Sequence, residues 1–455
     1  MKPLTRLVVP VLVEQLLALS VGFVDKWLAG NLFAGAEPLA AVGLVAYCLA
    51  FLPVLFALPT AAVTALVARH VGAGDLVAAR RALAQCGVVA VIPTVAMAAL
   101  AAVWGGDMVD ALGLPPESSR LAVRYLAIVL PALPAMAVIW VGVAALRGAG
   151  DMVSGLVSMS VVNLVNAGAS FALATGAGGL PRLGWEGLAW GTLAGYCCGA
   201  VCVVGILLGN ARRLRPTVAD WKPDPAWQRR IVRVGVPAGV DAVANAACHL
   251  TFLSIVNRLG NVDAAAHAVA VTIESLAFLP GSAFQVAAAT LAGQALGGRD
   301  ERRARTGVWL AAGIAALLMG LAGAAFFRNA QPLAAWFAGA GAGREVADLA
   351  AALVRIVAFA QPPLALLMVL SGGLRGGGAT RPPLVVNFLG LVAIRLPLAL
   401  LLACRDIELP GGLGVLAGMG LGARGAWLAM AIDLTARGLA MAAIVARPGW
   451  TRVRV

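Results

Sequence analysis

Four acidic residues stand out as candidates within long apolar runs: Glu14, Asp25, Asp241 and Glu274. An ionisable side chain in an apolar, membrane-length segment is costly, and by default it marks an ion or substrate path rather than packing. Carboxylates bind and release H⁺ and Na⁺, so the chemistry they point to is cation exchange. Asp25 follows Arg6 by roughly 28 Å of helix at ~1.5 Å per residue, which places it in the far half of its run. Glu14 returns to nearly the same helical face. The stripe Glu14, Ala18, Val21, Gly22, Asp25 is small and acidic, suited to a cavity wall or a close helix contact. Glu274 lies near the middle of its run, where a carboxyl can take up and release a proton. Asp241, Asn245 and His249 follow i, i+4, i+8 spacing and form a polar stripe that fits either a water-filled path or interhelical hydrogen bonds. Asn163, Asn166 and Asn387 are further candidates for lining a cavity or holding helices together. Asp433 and Arg437 stand four apart, and with Arg395 they read as structural ion pairs.

The surroundings make these residues exceptional. Of 455 residues, 61% are apolar and only 12% are charged, and the mean hydropathy is +0.92. A soluble domain averages roughly 25% charged residues, so there is too little charge here for a solvated surface. Disordered, collagenous and coiled-coil readings fail on the same numbers. The apolar runs are long and unbroken rather than alternating, against a β-barrel. What remains is an all-α polytopic membrane protein. Twelve spans are expected at 7–30, 40–68, 84–105, 120–145, 153–176, 186–209, 231–257, 264–296, 307–327, 346–371, 383–403 and 423–446. Prolines inside the runs, such as Pro53, Pro131, Pro280 and Pro362, are tolerable kinks in a membrane helix.

The net charge of +13 does not point to nucleic acid, because the basic residues fall between the apolar runs. On this topology twenty-two of the 34 lysines and arginines lie on the side that holds both termini and the 210–230 loop, against seven opposite. Both termini are therefore expected in the cytoplasm of a multi-pass cell-membrane protein. The 7 cysteines lie in or beside apolar runs without a CxxC, so neither a disulfide framework nor a metal site is expected. The N-terminus, with Lys2 and Arg6, lacks a clear cleavage site and reads as an uncleaved first span.

The halves repeat. Pro10 matches Pro237, the string LAFLP occurs at Leu49–Pro53 and Leu276–Pro280, Asp75 matches Asp300, and LRGAG from Leu146 matches LRGGG from Leu374. By the same offset Glu14 is the mate of Asp241 and Tyr47 the mate of Glu274. Six spans per repeat is an even number, so the two repeats run parallel, as an N-lobe and a C-lobe. The expected organisation is 1–209 as the first lobe, 210–230 as a cytoplasmic linker and 231–455 as the second lobe. Two such bundles with a site between them, rocking to alternate access, is a transporter arrangement. The glycines of the LRGAG and LRGGG segments read as turns, with Arg147 and Arg375 at the lipid headgroups. No GxxxxGK[ST], HExxH or GxSxG is present, so neither a phosphate loop nor an enzyme is expected.

The strings GFVDKWLAG (22–30), GAGDLVAARRAL (72–83), ALRGAGD (145–151), AAHAVAVTIESLAFLPG (265–281), LGGRDERRAR (296–305) and LRGGGATR (374–381) resemble those of the multidrug and toxic compound extrusion (MATE) family along nearly the whole chain. The resemblance implies a twelve-helix antiporter that expels organic, often cationic, compounds in exchange for H⁺ or Na⁺. It implies an N-lobe cation site at Asp25, with Na⁺ a candidate there, and no other metal or cofactor. Asp25 and Glu274 are then the coupling carboxylates. Glu14, Tyr47, Asp241, Asn245, His249, Asn163, Asn166 and Gln285 are candidates for the cavity or proton path. The expected partners are a small organic substrate and the bilayer, with the monomer as functional unit. Two positions depart from the family pattern: Lys26 stands where Thr is common, and Ala379 where many relatives keep an acid like Asp151. The rival readings are a lipid-linked oligosaccharide flippase of related architecture and, in another class, a duplicated channel or membrane enzyme.

Overall fold

The structure, a computed structural model, describes residues 2–33, 35, 37–111, 115–209, 214–339, 341, 343–408 and 415–453. Arg212, Arg213 and Arg454 of the basic count, and residues 210–213 of the expected linker, lie outside them. Among the described residues twelve helices are long and apolar enough to cross a membrane: Leu4–Leu32, Glu37–Leu55, Leu76–Asp107, Pro116–Gly148, Val153–Thr175, Glu186–Leu208, Pro225–Asn257, Asn261–Gly297, Glu301–Arg328, Gly343–Gly376, Arg381–Ala403 and Ala423–Ala446. They are called the first to twelfth spans below. The second is continued, after a break at Phe56, by the helix Ala57–Gly72. Two local features were not expected from sequence. The eleventh span carries a π-helical stretch at Gly390–Arg395. A small antiparallel ribbon pairs β1 (Asp406–Glu408) with β2 (Val415–Ala417). The chain divides into two compact units, Met1–Gly239 and Val240–Val455, so the division falls inside the seventh span.

The repeated motifs are helix stops. Asp75 N–H reaches His70 O, Asp151 N–H reaches Leu146 O, Asp300 N–H reaches Ala295 O, and Ala379 N–H reaches Leu374 O, all at 2.8–2.9 Å. This return bond over five residues satisfies an orphan carbonyl at each helix C-terminus. The residue before it must be left-handed: Gly74 (φ 77), Gly150 (φ 86), Gly378 (φ 83) and, without a glycine, Arg299 (φ 59). The acids then cap the next helix, Asp75 accepting from Ala78 N–H, Asp151 from Ser154 N–H and Asp300 from Arg303 N–H. Ala379 has no such duty, because the residue three further on is Pro382, which has no N–H to cap.

Residues 214–225 dock on the third span. Arg80 and Arg81 pair with Asp220 (3.1 Å) and Asp224 (2.7 Å). Gln85 donates to the carbonyls of Asp220 and Lys222, both at 2.7 Å, and the Trp221 ring fills the space over Gly87. Burial works against the Asp220 carboxylate. The Thr217 N–H and hydroxyl together with Arg80 outweigh it and hold the carboxyl below its usual range. A lowered folded value stabilises the dock above the unfolded carboxylate pKa, and that contribution is lost as pH falls through the lowered value. Cleavage by an acid-active protease between Leu214 and Pro225 is therefore expected to rise only at a pH below the ordinary carboxylate range. Cleavage that does not change with pH would contradict this.

Candidate functional site

In the first unit the site is built by glycines. Gly187, Gly191, Gly195 and Gly199 recur every four residues along the sixth span. A Cβ at Gly187 would lie 2.5 Å from Ala174 N, and one at Gly195 would lie 2.8 Å from Val162 O. Only glycine lets the fifth and sixth spans approach this closely. Their contact carries Asn166 and Ser170 to the side of Thr192. Tyr125, from the fourth span, is 2% exposed among Leu28, Val42, Val45 and Leu188. These four polar groups converge on Asp25, which is 3% exposed near the Leu32 end of the first span.

Asp25 Oδ2 accepts from the Thr192 hydroxyl at 2.7 Å and from the Tyr125 hydroxyl at 3.0 Å. Its Oδ1 accepts from Asn166 Nδ2 at 3.2 Å and from the Ser170 hydroxyl at 3.5 Å. Asn166 Nδ2 also reaches Thr192 Oγ1 at 3.0 Å, while Asn166 Oδ1 is buried without a hydrogen bond. Every partner is neutral. The other buried acids described, Glu14, Asp220, Asp241 and Asp433, each have an arginine. Asp25 is the exception, a buried carboxylate without a counter-charge among the described residues. Lys26 is exposed and makes no ion pair among them.

Tyr125, Thr192 and Ser170 were missed from sequence. Tyr125 carried a signal, since the chain has only 3 tyrosines and this one interrupts an apolar run. Asn163, by contrast, binds helices together. It accepts from the Ser20 hydroxyl at 2.6 Å and donates to Leu17 O at 2.9 Å. Tyr47 is 54% exposed and packs edge-on against Phe51.

Glu14 and Asp241, mates in the repeat, find mated partners. Arg147 Nη2 lies 2.7 Å from Glu14 Oε2, and Arg375 Nη2 donates to Asp241 Oδ2. The expectation that both arginines lie at the headgroups is thereby corrected. Each LRG(A/G)G arginine instead folds back onto the first helix of its own repeat, because a buried acid there needs a cation. Glu14 and Asp25 share no partner, so their common face is not a common site.

In the second unit Asp241 also accepts from Asn387 Nδ2 at 3.0 Å. Asn387 Oδ1 accepts from Arg437 Nη1 at 3.2 Å. Arg437 grips Asp433 through Nε at 2.8 Å and Nη2 at 2.5 Å, and Arg395 Nε donates to Asp433 Oδ2 at 2.8 Å. Gly390 makes the room, since a Cβ there would lie 2.7 Å from Asp433 Oδ1. Glu274 is half-buried on the eighth span and has no hydrogen bond or ion pair among the described residues. Asn245 and His249 are exposed and do not join Asp241. Gln285 is half-buried, with its backbone and Cγ against Gly372. Among the described residues no group of three or more His, Cys, Asp or Glu could hold a metal ion.

Fold and site define a duplicated, twelve-span membrane protein with an uncompensated acid inside its first repeat. The family model MatE matches residues 10–171 and 237–401, one segment in each repeat, and the chain belongs to that family. Among curated proteins it is 26% identical to a probable multidrug resistance protein NorM of Thermotoga maritima, covering 96% of this chain and 90% of that one. It is 28% identical to the protein of the same name in Pseudomonas aeruginosa, over 98% and 88% of the two chains. Among solved structures it superposes with a TM-score of 0.84 on a MATE protein in complex with MaL6, at 20% identity over 98% and 97% of the chains. A MOP superfamily transporter from Pyrococcus furiosus gives 0.86 at 20% identity, over 100% and 97%.

Proposed function

We propose that the chain is a secondary active efflux antiporter, exporting lipophilic organic cations in exchange for H⁺ or Na⁺ by alternating access. The observation that carries this reading is Asp25, a carboxylate 3% exposed whose four partners are all uncharged. A negative charge held in this way inside a membrane unit is satisfied by a proton or by a small hard cation. The donor set fits either one. It is all oxygen on the acceptor side, and the orphaned Asn166 Oδ1 is an acceptor that a cation can use. The relatives named as multidrug resistance proteins support export of organic compounds. Glu274, half-buried and without a hydrogen bond among the described residues, supplies a second carboxylate that a cationic substrate can engage.

The basic-residue asymmetry supports cytoplasmic termini in the cell membrane, and each chain carries both carboxylates, so the monomer is the functional unit. The test is reconstitution in liposomes, with an imposed pH or Na⁺ gradient and a fluorescent monovalent cation. Accumulation of the dye against its own gradient, driven by one of the two ions moving the other way, is expected. Equilibration of the dye to equal concentrations under every gradient would leave a channel or facilitator instead.

A further inference from the structure

The starts of the third and ninth spans are mates in the repeat, but only the first of them is neutralised within the chain. Counted from Asp75 and Asp300, Arg80 is the mate of Arg305, Arg81 of Thr306 and Gln85 of Leu310. In the first unit residues 214–225 cover this face, and their Asp220 and Asp224 pair with Arg80 and Arg81. In the second unit the segment Pro448–Arg452 follows the last span of its repeat in the same way, again as a 3₁₀ helix holding a tryptophan. The Thr451 hydroxyl ties it to the ninth span by donating to Glu301 Oε2 at 2.7 Å, and Arg305 Nη2 donates to Ala446 O at 2.8 Å. This segment brings no acid; it brings Arg452, and Arg447 precedes it. Arg299, Arg302, Arg303, Arg305, Arg447 and Arg452 are therefore gathered where the ninth span starts and the twelfth ends. None of them is in an ion pair among the described residues. The two acids of the same stretch are engaged, Asp300 with Arg303 N–H and Glu301 with Thr451.

Arg302, Arg305 and Thr306 line an open cavity of about 800 Å³, with Glu301, Trp309 and Leu310 as its other walls. From there the exposed face of the ninth span runs on through Leu310, Leu317 and Leu321, which are 50%, 63% and 60% exposed. Gly313 lies between them, with open space where a Cβ would stand. Trp309 to Leu321 is roughly 18 Å of helix at ~1.5 Å per residue, enough to cross one leaflet's share, about 15 Å, of the hydrocarbon core. We propose that this face binds one anionic phospholipid, its phosphate on Arg302 and Arg305 and an acyl chain over Gly313 toward Leu321. Guanidiniums pair well with phosphate oxygens, and basic pockets between membrane helices seat anionic headgroups. A free phosphate would satisfy the arginines but has no use for the apolar stripe. The lipid does for the second unit what Asp220 and Asp224 do for the first: it neutralises the arginines and fastens the segment that follows the last span.

The test is quenching of Trp309 fluorescence, taken as the difference between the full chain and its Trp309→Phe variant. The chain is reconstituted in phosphatidylcholine vesicles that contain brominated phosphatidylglycerol or brominated phosphatidylcholine at equal mole fraction. Brominated phosphatidylglycerol is expected to quench more strongly and to saturate at a lower mole fraction. Arg302 is exposed and has no hydrogen bond among the described residues, so Arg302→Gln should fold. It is expected to weaken phosphatidylglycerol binding about fivefold, the attraction of one basic side chain to an anionic lipid surface, and Arg302→Lys should retain most of it. Gly313→Leu fills the groove, leaves every cation in place, and should weaken binding too. Arg229→Gln removes an exposed charge in the first unit and should change nothing. Equal quenching by the two lipids, or wild-type affinity in Arg302→Gln, overturns the site. An equal loss in Arg302→Gln and Arg229→Gln also overturns it, leaving a diffuse attraction to a basic face. Wild-type affinity in Gly313→Leu, with displacement by inorganic phosphate but not by chloride at the same ionic strength, makes the ligand a free phosphate and overturns the lipid.

Discussion

Asp25→Asn is expected to fold, insert and lose gradient-driven export. Asn keeps the shape of the side chain and an acceptor for the Thr192 or Tyr125 hydroxyl, so the packing of the first unit should survive. The charge is what is lost. A charged hydrogen-bonding partner is worth about 1.5–3 kcal/mol, and each ~1.4 kcal/mol is tenfold in rate, so the coupled rate should fall roughly 10- to 100-fold. Thermal stability should move the other way or stay level, because a buried charge without a counter-charge costs free energy to hold. A thermal-shift assay beside the transport assay separates the two effects. Full export by the folded variant would reduce Asp25 to a packing residue.

The second large effect is expected at Glu274. Unlike Asp25, this carboxylate is half-buried and has no hydrogen bond among the described residues. Lipophilic cations in a low-dielectric site need a counter-charge, and Glu274→Gln removes it. Export of monovalent cations should fall roughly tenfold or more, one charge contact of ~1.4 kcal/mol being enough for that. Glu274→Asp, a shorter acid at the same depth, should retain part of it. Cation binding to the wild type should weaken as the carboxyl protonates at falling pH, and this dependence should be absent from the Gln variant. Retention of both full export and the wild-type pH dependence by Glu274→Gln would make the residue structural and return the coupling to Asp25.

Much of this architecture is legible in the residues. Unbroken apolar runs require membrane helices, and among the described residues twelve are present with most ends within several residues of those expected; the second, expected at 40–68, instead breaks at Phe56 after Leu55. Glu14, Asp25, Asp241 and Glu274 stand out because acids are rare so deep in those runs, and the one other, Asp433, has Arg437 four residues on. The shell around Asp25 was only half visible. Asn166 is polar enough to notice, but Ser170 and Thr192 are ordinary in membrane helices, and only the glycine-lined contact of two spans brings them to one carboxylate. Arg147 and Arg375 were misread for a related reason. An arginine at a span end suits a headgroup, and its turn back to Glu14 or Asp241 is a tertiary event. The repeat did hold the clue, since the two acids and the two arginines are mates of one another. The π-helical stretch at Gly390–Arg395 follows no local pattern. It exists where Arg395, Asp433 and Arg437 must be seated together, and such irregular turns gather at functional positions.

The central claim is exchange, and the most direct measurement is ion movement driven by substrate alone. Proteoliposomes are prepared with equal H⁺ and Na⁺ on both sides, a lipophilic cation is added to one side, and the internal pH and Na⁺ are followed. The account predicts that one of the two ions moves opposite to the substrate, at a rate that saturates with substrate concentration and vanishes in Asp25→Asn. Substrate entry with neither ion moving, or with the same ion movement in Asp25→Asn as in the wild type, would contradict it.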